Sequence, residues 1–384
     1  MSWERYKLGD LYAVHNGLSK GRKYFGSGYG FLSFSTVFNN YFIPDELSDF
    51  VRSTEKEQKN YSIRRGDVFV TRTSETSDEL GMSCVALKNY PHATYNGFTK
   101  RLRPTTDKVL PEYIGYYMRM PSFRRKFMAF STMTTRASLK NEDLLGLEVE
   151  LPNYDKQTSI ANVLMTYDDL IENNQKQIKL LEEVAQRLYK EWFVDLHFPG
   201  YEEAEIIDGL PKGWEIKKVD ELLQKVQKKV KVKASEYMSE GKIPIVDQSR
   251  KFIAGYTNNQ ESLSDELPAI IFGDHTRIIK YIQFPYARGA DGTQVIISNT
   301  SRMPQALFYC ALKNIDLSNH HYARHFKYLK EKNVLLPERT ISGKFNDIAD
   351  VYFTNIMSLR KMNARLSEAR DRLLPKLMSG EIEV

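Results

Sequence analysis

The apolar positions of this chain show a helical periodicity in two separate segments. Residues 163–188 and 348–373 place mostly apolar side chains at alternating intervals of four and three, the heptad pattern of paired helices. No proline interrupts residues 155–194 or 340–374. Each segment therefore predicts one helix of roughly 35–40 residues, about 50–60 Å long at 1.5 Å per residue. We expect the second helix to end within the segment from Leu374 to Gly380, which contains Pro375.

The two predicted seams share one register, because adding 185 to each position of the first gives the second. The first seam consists of Val163, Tyr167, Leu170, Asn174, Gln177, Leu181, Val184 and Leu188, and the aromatic pair Trp192 and Phe193 follows it. The second consists of Ile348, Tyr352, Asn355, Leu359, Met362, Leu366, Ala369 and Leu373. We expect the seams to pair with each other, and their outer faces, with Trp192 and Phe193, to bind a partner.

The segments that precede the helices are also duplicated. Each opens on a Trp-Glu pair, at Trp3 and at Trp214, runs through short β-branched and aromatic stretches punctuated by Gly, Asn and Pro, and closes on a Leu-Pro pair. The predicted division is a globular domain over 1–152, a long helix over 153–195, a linker over 196–213, a second globular domain over 214–338, and a second long helix with a tail over 339–384. A repeat in this order is difficult to obtain by chance.

Composition and charge narrow the class of protein. The 384 residues are 41% hydrophobic and 27% charged, as in ordinary globular chains, and the two cysteines, Cys84 and Cys310, exclude a disulfide framework. The chain shows no secretory signal and no apolar run long enough for a membrane span, so we expect a cytoplasmic protein without a membrane partner. The net charge of +6 comes from two basic globular parts on either side of an acidic segment, 152–209. Basic, aromatic-rich domains favour a polyanion partner.

The motifs of catalysis are missing from the sequence. It contains no Pro-Pro dipeptide of the kind that amino-methyltransferases use and no Gly-x-x-x-x-Gly-Lys-Ser/Thr phosphate loop. The glycine-rich stretch from Tyr24 to Gly30 predicts a flexible turn rather than a cofactor site, since no amphipathic helix follows it. His320, His321 and His325 lack the cysteines or the third spaced pair of a zinc site. We expect no catalysis, no metal and no cofactor bound by this chain itself.

Polar and basic loops next to strand-like runs are the candidates for DNA contact, because such side chains form hydrogen bonds with bases and phosphates. In the first domain the candidates are Arg72, Thr73, Ser74, Lys100, Arg101 and Arg136. In the second domain they are His275, Arg277, Arg288, Arg324 and Lys327.

Taken in order, these motifs resemble the DNA-specificity subunit of type I restriction-modification systems. The resemblance covers essentially the whole chain and is carried by the paired Trp-Glu starts, Gly66 to Val70 followed by Arg72 to Glu75, the Leu-Pro pairs, Trp192 to Asp195, and the tail from Leu374 to Ile382. It implies an α+β fold in which two duplicated target-recognition domains are joined by two long antiparallel coiled-coil helices.

The resemblance also implies a function and partners. Each domain would read one half of a split, asymmetric site in double-stranded DNA, and the helices would act as a spacer that docks two methyltransferase subunits. Two restriction subunits, which are motor-nucleases, could join, and these partner subunits would use S-adenosylmethionine, ATP and Mg. Two other interpretations remain at this stage: a free-standing regulatory or architectural DNA-binding protein that dimerises through its helices, and an enzyme with unfamiliar motifs.

Overall fold

The computed structural model describes residues 3–74, 79–128, 137–227, 229–318 and 324–384. The chain divides into two compact units, each of which combines a globular part with portions of both long helices. Unit 1 comprises residues 1–171 and 365–384, and unit 2 comprises residues 172–364. Both units mix helices and sheets, which confirms the predicted α+β class.

The strands of the described residues are short. In unit 1 they are β1 Glu4–Lys7, β2 Tyr12–Asn16, β3 Phe25–Leu32, β4 Asp49–Val51, β5 Val68–Thr71, β6 Thr73–Ser74, β7 Ser83–Val85, β8 Thr94–Tyr95, β9 Thr99–Pro104, β10 Ala137–Ser138 and β11 Glu148–Leu151. In unit 2 they are β12 Ile206–Ile207, β13 Leu210–Pro211, β14 Glu215–Lys218, β15 Ile243–Val246, β16 Gly255–Thr257, β17 Leu263–Ser264, β18 Ala269–Gly273, β19 Ile279–Ile282, β20 Tyr286–Arg288, β21 Thr293–Ile296 and β22 Asn333–Leu336.

Two helices are far longer than the rest. The short ones are α1 Leu8–Leu11, α2 Phe34–Asn39, α3 Glu55–Asn60, α4 Pro111–Tyr117, α5 Pro121–Met128, α6 Asn141–Leu145, α8 Gln305–Lys313 and α9 His325–Lys330. The long ones are α7 Tyr154–Phe193, of 40 residues, and α10 Arg339–Ser379, of 41 residues. The two long helices predicted from the heptads are therefore confirmed.

The second helix ends within the segment predicted for it, Leu374 to Gly380. Helix α10 continues through Pro375 and ends at Ser379, and Gly380 follows it with a φ of 76°. Proline removes the hydrogen bond to the Asp371 carbonyl, but both residues are exposed, so water can satisfy that carbonyl. The actual stop is a left-handed glycine after the last turn, a conformation that other residues rarely adopt.

Unit 1 is built on a four-stranded sheet in the order β2-β9-β5-β7, accompanied by a three-stranded sheet β4-β3-β8. Strands β5 and β9 lie inside the larger sheet, and their apolar residues, such as Val68 and Leu102, are fully buried. The main core of the unit packs them against α4 and α5 and against apolar side chains of both long helices, including Leu164 and Leu374.

Unit 2 repeats this plan with a four-stranded sheet β16-β15-β20-β17 and a three-stranded sheet β19-β18-β21. Its largest core is rich in aromatic side chains and surrounds Phe345 of α10, whose ring lies against Trp192 and Phe193 of α7. The burial of Trp192 and Phe193 therefore belongs to this core.

The sequence repeat produces the same strand pairing in both units. In unit 1 the Trp-Glu strand β1 pairs antiparallel with β11, and Glu4 lies opposite Leu151. In unit 2 the Trp-Glu strand β14 pairs antiparallel with β22, and Glu215 lies opposite Leu336. Each ladder has four pairs and joins the first strand of a globular part to the Leu-Pro segment before its long helix. The structure therefore explains why these two distant motifs recur together.

The long helices run antiparallel within each unit, and Asn174 of the predicted seam is buried and donates to the Asn363 side chain at 2.8 Å, but most apolar positions of that seam are wrong by one residue. Leu170 and Met362, assigned to the seam, are 46% and 51% exposed, and Val184 and Ile348 are also exposed. The residues that follow the assigned positions are the buried ones: Leu164, Ala185, Tyr189, Ala349, Phe353, Ile356 and Leu374. One residue rotates a helix by about 100°. The assigned positions Val163, Leu181, Leu188, Leu359, Leu366 and Leu373 are half-buried at the border of the true seam.

The glycine-rich stretch is also not a turn. Residues Phe25–Leu32 form strand β3, which pairs with β4 on one side and with β8 on the other. A register irregularity between Phe25 and Tyr29 accommodates Gly26 and Gly28, whose φ values are 94° and 106°. A Cβ on Gly28 would lie 2.6 Å from the Val51 carbonyl oxygen. The glycines therefore allow a bulged strand to approach its neighbour closely.

Candidate nucleic-acid interface

The candidate loops of both units begin where a buried central strand ends. In unit 1, β5 ends at Thr71 and the carbonyl of Arg72 accepts a hydrogen bond from the Leu139 amide at 2.9 Å. In unit 2, β18 ends at Gly273 and the carbonyl of Asp274 accepts one from the His325 amide, also at 2.9 Å. In each unit the donor lies at the start of a short helix or just before it. We call the Arg72–Leu139 junction edge 1 and the Asp274–His325 junction edge 2.

Edge 1 brings two sequence-predicted loops together. Strands β6 and β10 pair antiparallel, and they place Thr73 opposite Ser138 and Ser74 opposite Ala137. Arg136 lies outside the described residues, as do Glu75 and Thr76. The ladder nevertheless shows that the loop after Arg72 and the chain just before Leu139 share one edge. This pairing could not be predicted from the sequence, because each of the two strands is only two residues long.

The Arg72 side chain at edge 1 is half-buried and points toward a residue that the sequence analysis missed. Its Nη1 donates to the Oδ1 of Asn16 at 3.4 Å, and its Nε has no hydrogen-bond partner within the described residues. Asn16 is exposed at the end of β2. An arginine and an asparagine side by side are the residue types that form bidentate contacts with guanine and adenine.

Lys100 and Arg101 correct the sequence prediction, because both side chains are buried inside unit 1. They lie on β9, an inner strand between β2 and β5. The Lys100 ammonium donates to the Asn141 side chain, whereas the Arg101 guanidinium donates to the Ser62 carbonyl at 2.7 Å. Burial lowers the pKa of both groups. Because both side chains are buried, these two residues contribute to the interior of the domain and do not offer a surface for phosphate.

Edge 2 is organised by a buried aspartate. The Asp274 amide donates to the Gly292 carbonyl at 2.7 Å, and its carboxylate Oδ1 accepts from the Phe326 amide in the first turn of α9 at 2.8 Å. His275, the next residue, is exposed. A negative charge at the start of a helix is favourable, so Asp274 fixes α9 against the end of β18 and sets the position of His275.

Gln248 holds edge 2 from the other side, and the sequence analysis also missed it. Its Oε1 accepts from the His275 amide at 3.1 Å, and its Nε2 donates to the Asp291 carbonyl at 2.9 Å. The Thr276 hydroxyl donates to the Gln248 carbonyl at 2.7 Å. The loops at 273–277 and 289–292 are therefore tied to one side chain. The signal in the sequence is weak, since it consists of one glutamine in a polar loop after β15.

The basic candidates of unit 2 separate into two groups. Arg277, with a φ of 60°, donates from Nη1 to the Leu317 carbonyl at 3.0 Å, and the half-buried Arg288 donates from Nε to the Thr293 carbonyl at 2.7 Å. Burial lowers the pKa of Arg288. These two side chains hold loops in place. Arg324 and Lys327, at the start of α9, are exposed beside edge 2. His275 is exposed as well, and so is Arg277 although one of its nitrogens holds the Leu317 carbonyl.

The long helices of unit 2 carry a separate set of exposed apolar side chains. They are Leu180, Val184, Ile348, Val351 and Met362. Leu180 and Val184 are one turn apart on α7, and Ile348 and Val351 are one turn apart on α10. Neighbouring exposed apolar side chains of this kind occur at protein-binding surfaces. They lie outside the aromatic core described above, so that core does not account for them.

The described residues offer little for other chemistry. No group of three His, Cys, Asp or Glu side chains among them could hold a metal ion. None of the helices in the described ranges is long and apolar enough to cross a membrane. Cys84 and Cys310 are buried, and burial raises the pKa of each thiol to about 12, so neither is a reactive thiolate at neutral pH.

Comparison with known proteins finds similarity to a single class of protein. Residues 1–183 match the protein family described as the type I restriction modification DNA specificity domain. The type I restriction enzyme MjaIX specificity subunit of Methanocaldococcus jannaschii is 27% identical over 413 residues, which cover 100% of this chain and 94% of that protein. The HindI specificity subunit of Haemophilus influenzae is 22% identical over 475 residues, which cover 99% of each. The crystal structure of a type I S subunit from M. genitalium has the same fold, with a TM-score of 0.55, 17% identity, and coverage of 98% of this chain and 96% of that one.

Proposed function

The chain belongs to the family of type I restriction-modification DNA specificity subunits, and from this premise we propose that it reads a bipartite, asymmetric DNA site. Edge 1 in unit 1 would contact one half-site and edge 2 in unit 2 the other. The observation that carries the proposal is the matching backbone junction in both units, Arg72 with Leu139 and Asp274 with His325. Because the same backbone junction carries different side chains in the two units, the units would recognise two different DNA sequences.

The side chains proposed for base contact differ between the two edges. Edge 1 presents Arg72 beside Asn16, whereas edge 2 presents His275, with Arg324 and Lys327 nearby. Arginine favours guanine and asparagine favours adenine through paired hydrogen bonds, and lysine and arginine at the rim of a site bind phosphates. The half-sites would therefore be unlike in sequence, and the complete target would be asymmetric.

We further propose that the exposed apolar face of the long helices binds two methyltransferase subunits, and that two restriction subunits can join the complex. The support is the set of exposed apolar residues from Leu180 to Met362 on helices otherwise paired through their buried sides. The chain would itself bind no cofactor, whereas its partners would use S-adenosylmethionine, ATP and Mg. The chain would supply the sequence recognition and the scaffold, and its partners would supply the catalysis.

Methylome sequencing of a host that expresses this chain with its methyltransferase tests the bipartite site. Arg72→Ala should relax one or two base positions in one half-site, and His275→Ala should relax positions in the other. Each good base contact contributes about 1–3 kcal/mol, which is roughly a tenfold to hundredfold preference. Arg5→Ala, which removes an exposed ion pair with Glu150, is the matched control and should leave the motif intact. If either edge substitution changes both half-sites, the units do not read independently and the proposal fails.

Size-exclusion chromatography of the chain with and without the methyltransferase tests the assembly. A stable complex with two methyltransferase copies supports the proposal. If the chain instead dimerises alone and binds DNA without recruiting the methyltransferase, it is a free-standing DNA-binding protein.

A further inference from the structure

Phe98 is a large apolar side chain that the fold keeps in water. It lies in the tight turn between β8 and β9 and is 59% exposed. Burying a phenylalanine side chain is worth about 1.5–3 kcal/mol relative to leaving it exposed, so folding gains little from this ring. Isolated exposed apolar residues are common. Phe98 differs from them because hydrogen bonds fix its turn and because polar and basic side chains lie beside it.

The turn that carries Phe98 is fixed on both sides. The Phe98 amide donates to the Asn96 Oδ1 at 2.6 Å, and the Phe98 carbonyl accepts from the Arg72 amide at 3.0 Å. A Cβ on Gly97 would lie 2.2 Å from the Ser19 hydroxyl oxygen and 3.1 Å from the Leu18 carbonyl oxygen, so the turn packs closely against residues 18 and 19. The ring therefore projects from a rigid support that is bonded directly to edge 1.

The surroundings of Phe98 suit nucleic acid. Beside it at edge 1 are the Arg72 and Asn16 side chains, which are of base-reading types. On the other side, Leu18 pairs with Asn96 and leads to a basic cluster. In that cluster the Tyr24 ring is flanked by Lys20, Lys23 and Arg52, with each cation 4.9–5.8 Å from the ring centre. Lys20 also pairs with Glu57 at 2.7 Å, which leaves the cluster net basic.

We propose that Phe98 is a specificity-determining residue of unit 1 that contacts the C5-methyl group of a thymine in the major groove. Of the groups that base pairs present in that groove, the thymine methyl is the apolar one, and the matching protein groups include phenylalanine. Arg72 and Asn16 would read the neighbouring bases by hydrogen bonds, while Lys20, Lys23 and Arg52 would bind the backbone phosphates. The inference rests on the proposed function, because it adds one contact to the half-site assigned to edge 1.

A cycle of protein and DNA changes tests this contact with the full chain. Sequences are first selected from a random duplex library, and the selected thymine positions are then replaced one at a time by uracil, which lacks the methyl group. For the wild-type chain one uracil in the half-site of unit 1 should weaken binding about fourfold, the value expected for one buried carbon group at about 0.8 kcal/mol. For Phe98→Ala the same uracil should have no effect, because the methyl group has already lost its partner. Phe50→Ala, at another exposed phenylalanine of unit 1, is the control and should behave as wild type.

The outcomes separate this inference from the proposed function. If Phe98→Ala discriminates thymine from uracil as well as the wild type does, or if the half-site of unit 1 contains no thymine, the inference is overturned and the bipartite site stands. If Phe98→Ala weakens binding equally on every sequence, the ring acts as a non-specific wedge and the thymine contact is wrong. If the wild-type chain selects no sequence at all, the proposed function itself fails.

Discussion

Replacing Phe345 and, separately, Ile348 with alanine tests which residues of α10 the core buries. Phe345 is 0% exposed, and its ring centre lies 6.4 Å from Tyr189, 5.9 Å from Trp192 and 5.2 Å from Phe193, all near edge-to-face. A fully buried phenylalanine replaced by alanine typically lowers the free energy of unfolding by about 3–5 kcal/mol. Because three aromatic contacts are lost together, we expect a value near the upper end. Ile348→Ala, one turn further along α10, removes a residue that is 37% exposed and should cost less than about 1 kcal/mol.

Urea denaturation followed by tryptophan fluorescence measures this difference. Two of the three tryptophans, Trp192 and Trp214, belong to unit 2, and Trp192 contacts the substituted ring. With a denaturant slope of about 2 kcal/mol per molar, Phe345→Ala should lower the midpoint of this unit by about 2 M. Phe345→Leu, a milder change, keeps the test possible if the alanine variant does not fold. Equal losses for the two positions, or a larger loss for Ile348→Ala, would restore the register predicted from the heptads and refute the buried seam described above.

Three further expectations follow from individual contacts. Asp67 is fully buried and accepts from the Arg103 guanidinium at 2.6 and 2.8 Å, so Asp67→Asn should lower the free energy of unfolding by about 1.5–3 kcal/mol in calorimetry, because it weakens charged hydrogen bonds to the half-buried Arg103. Burial lowers the pKa of Lys280 to about 8, so the unfolded chain binds more protons than the folded one between pH 8 and 10.5. The unfolding free energy of the wild type relative to Lys280→Met should therefore rise over this interval, and a flat difference would contradict the shift. Leu180→Glu should reduce co-purification with the methyltransferase without changing the midpoint of unfolding, whereas a fall in both would indicate a structural role.

The sequence was sufficient to predict the repeat and the two long helices, because both depend on local patterns. The Trp-Glu and Leu-Pro motifs proved to be partners in one ladder, and the proline-free heptads proved to be helices. The phase of the seam could not be obtained in this way, because apolar residues occupy adjacent positions, as in Val163 and Leu164. Which of the two is buried depends on the sheet and the helix that pack against α7, and those contacts come from distant parts of the chain.

The candidate site was predicted less completely for the same reason. Lys100 and Arg101 lie in a run of polar residues that suggests an exposed strand. In the structure both are buried and contact Asn141, Ser62 and Tyr95, which belong to other segments of the chain. Gln248, whose two hydrogen bonds connect loops more than 25 residues away, gives no local signal. A pattern along the chain locates loops between strands, whereas the identity of the contacting side chains depends on tertiary packing.

The ladders β1–β11 and β14–β22 have a consequence for how such a chain evolves. Because the first and last strands of each globular part are hydrogen-bonded neighbours, the chain enters and leaves that part at one place. Segments with adjacent ends can be exchanged without disturbing what lies outside them. Two crossovers, one near Trp3 and one near Leu151, or one near Trp214 and one near Leu336, would then replace a whole globular part. The long helices outside the exchanged segment would keep their sequence, so a new globular part could be acquired without a change in the faces that these helices expose.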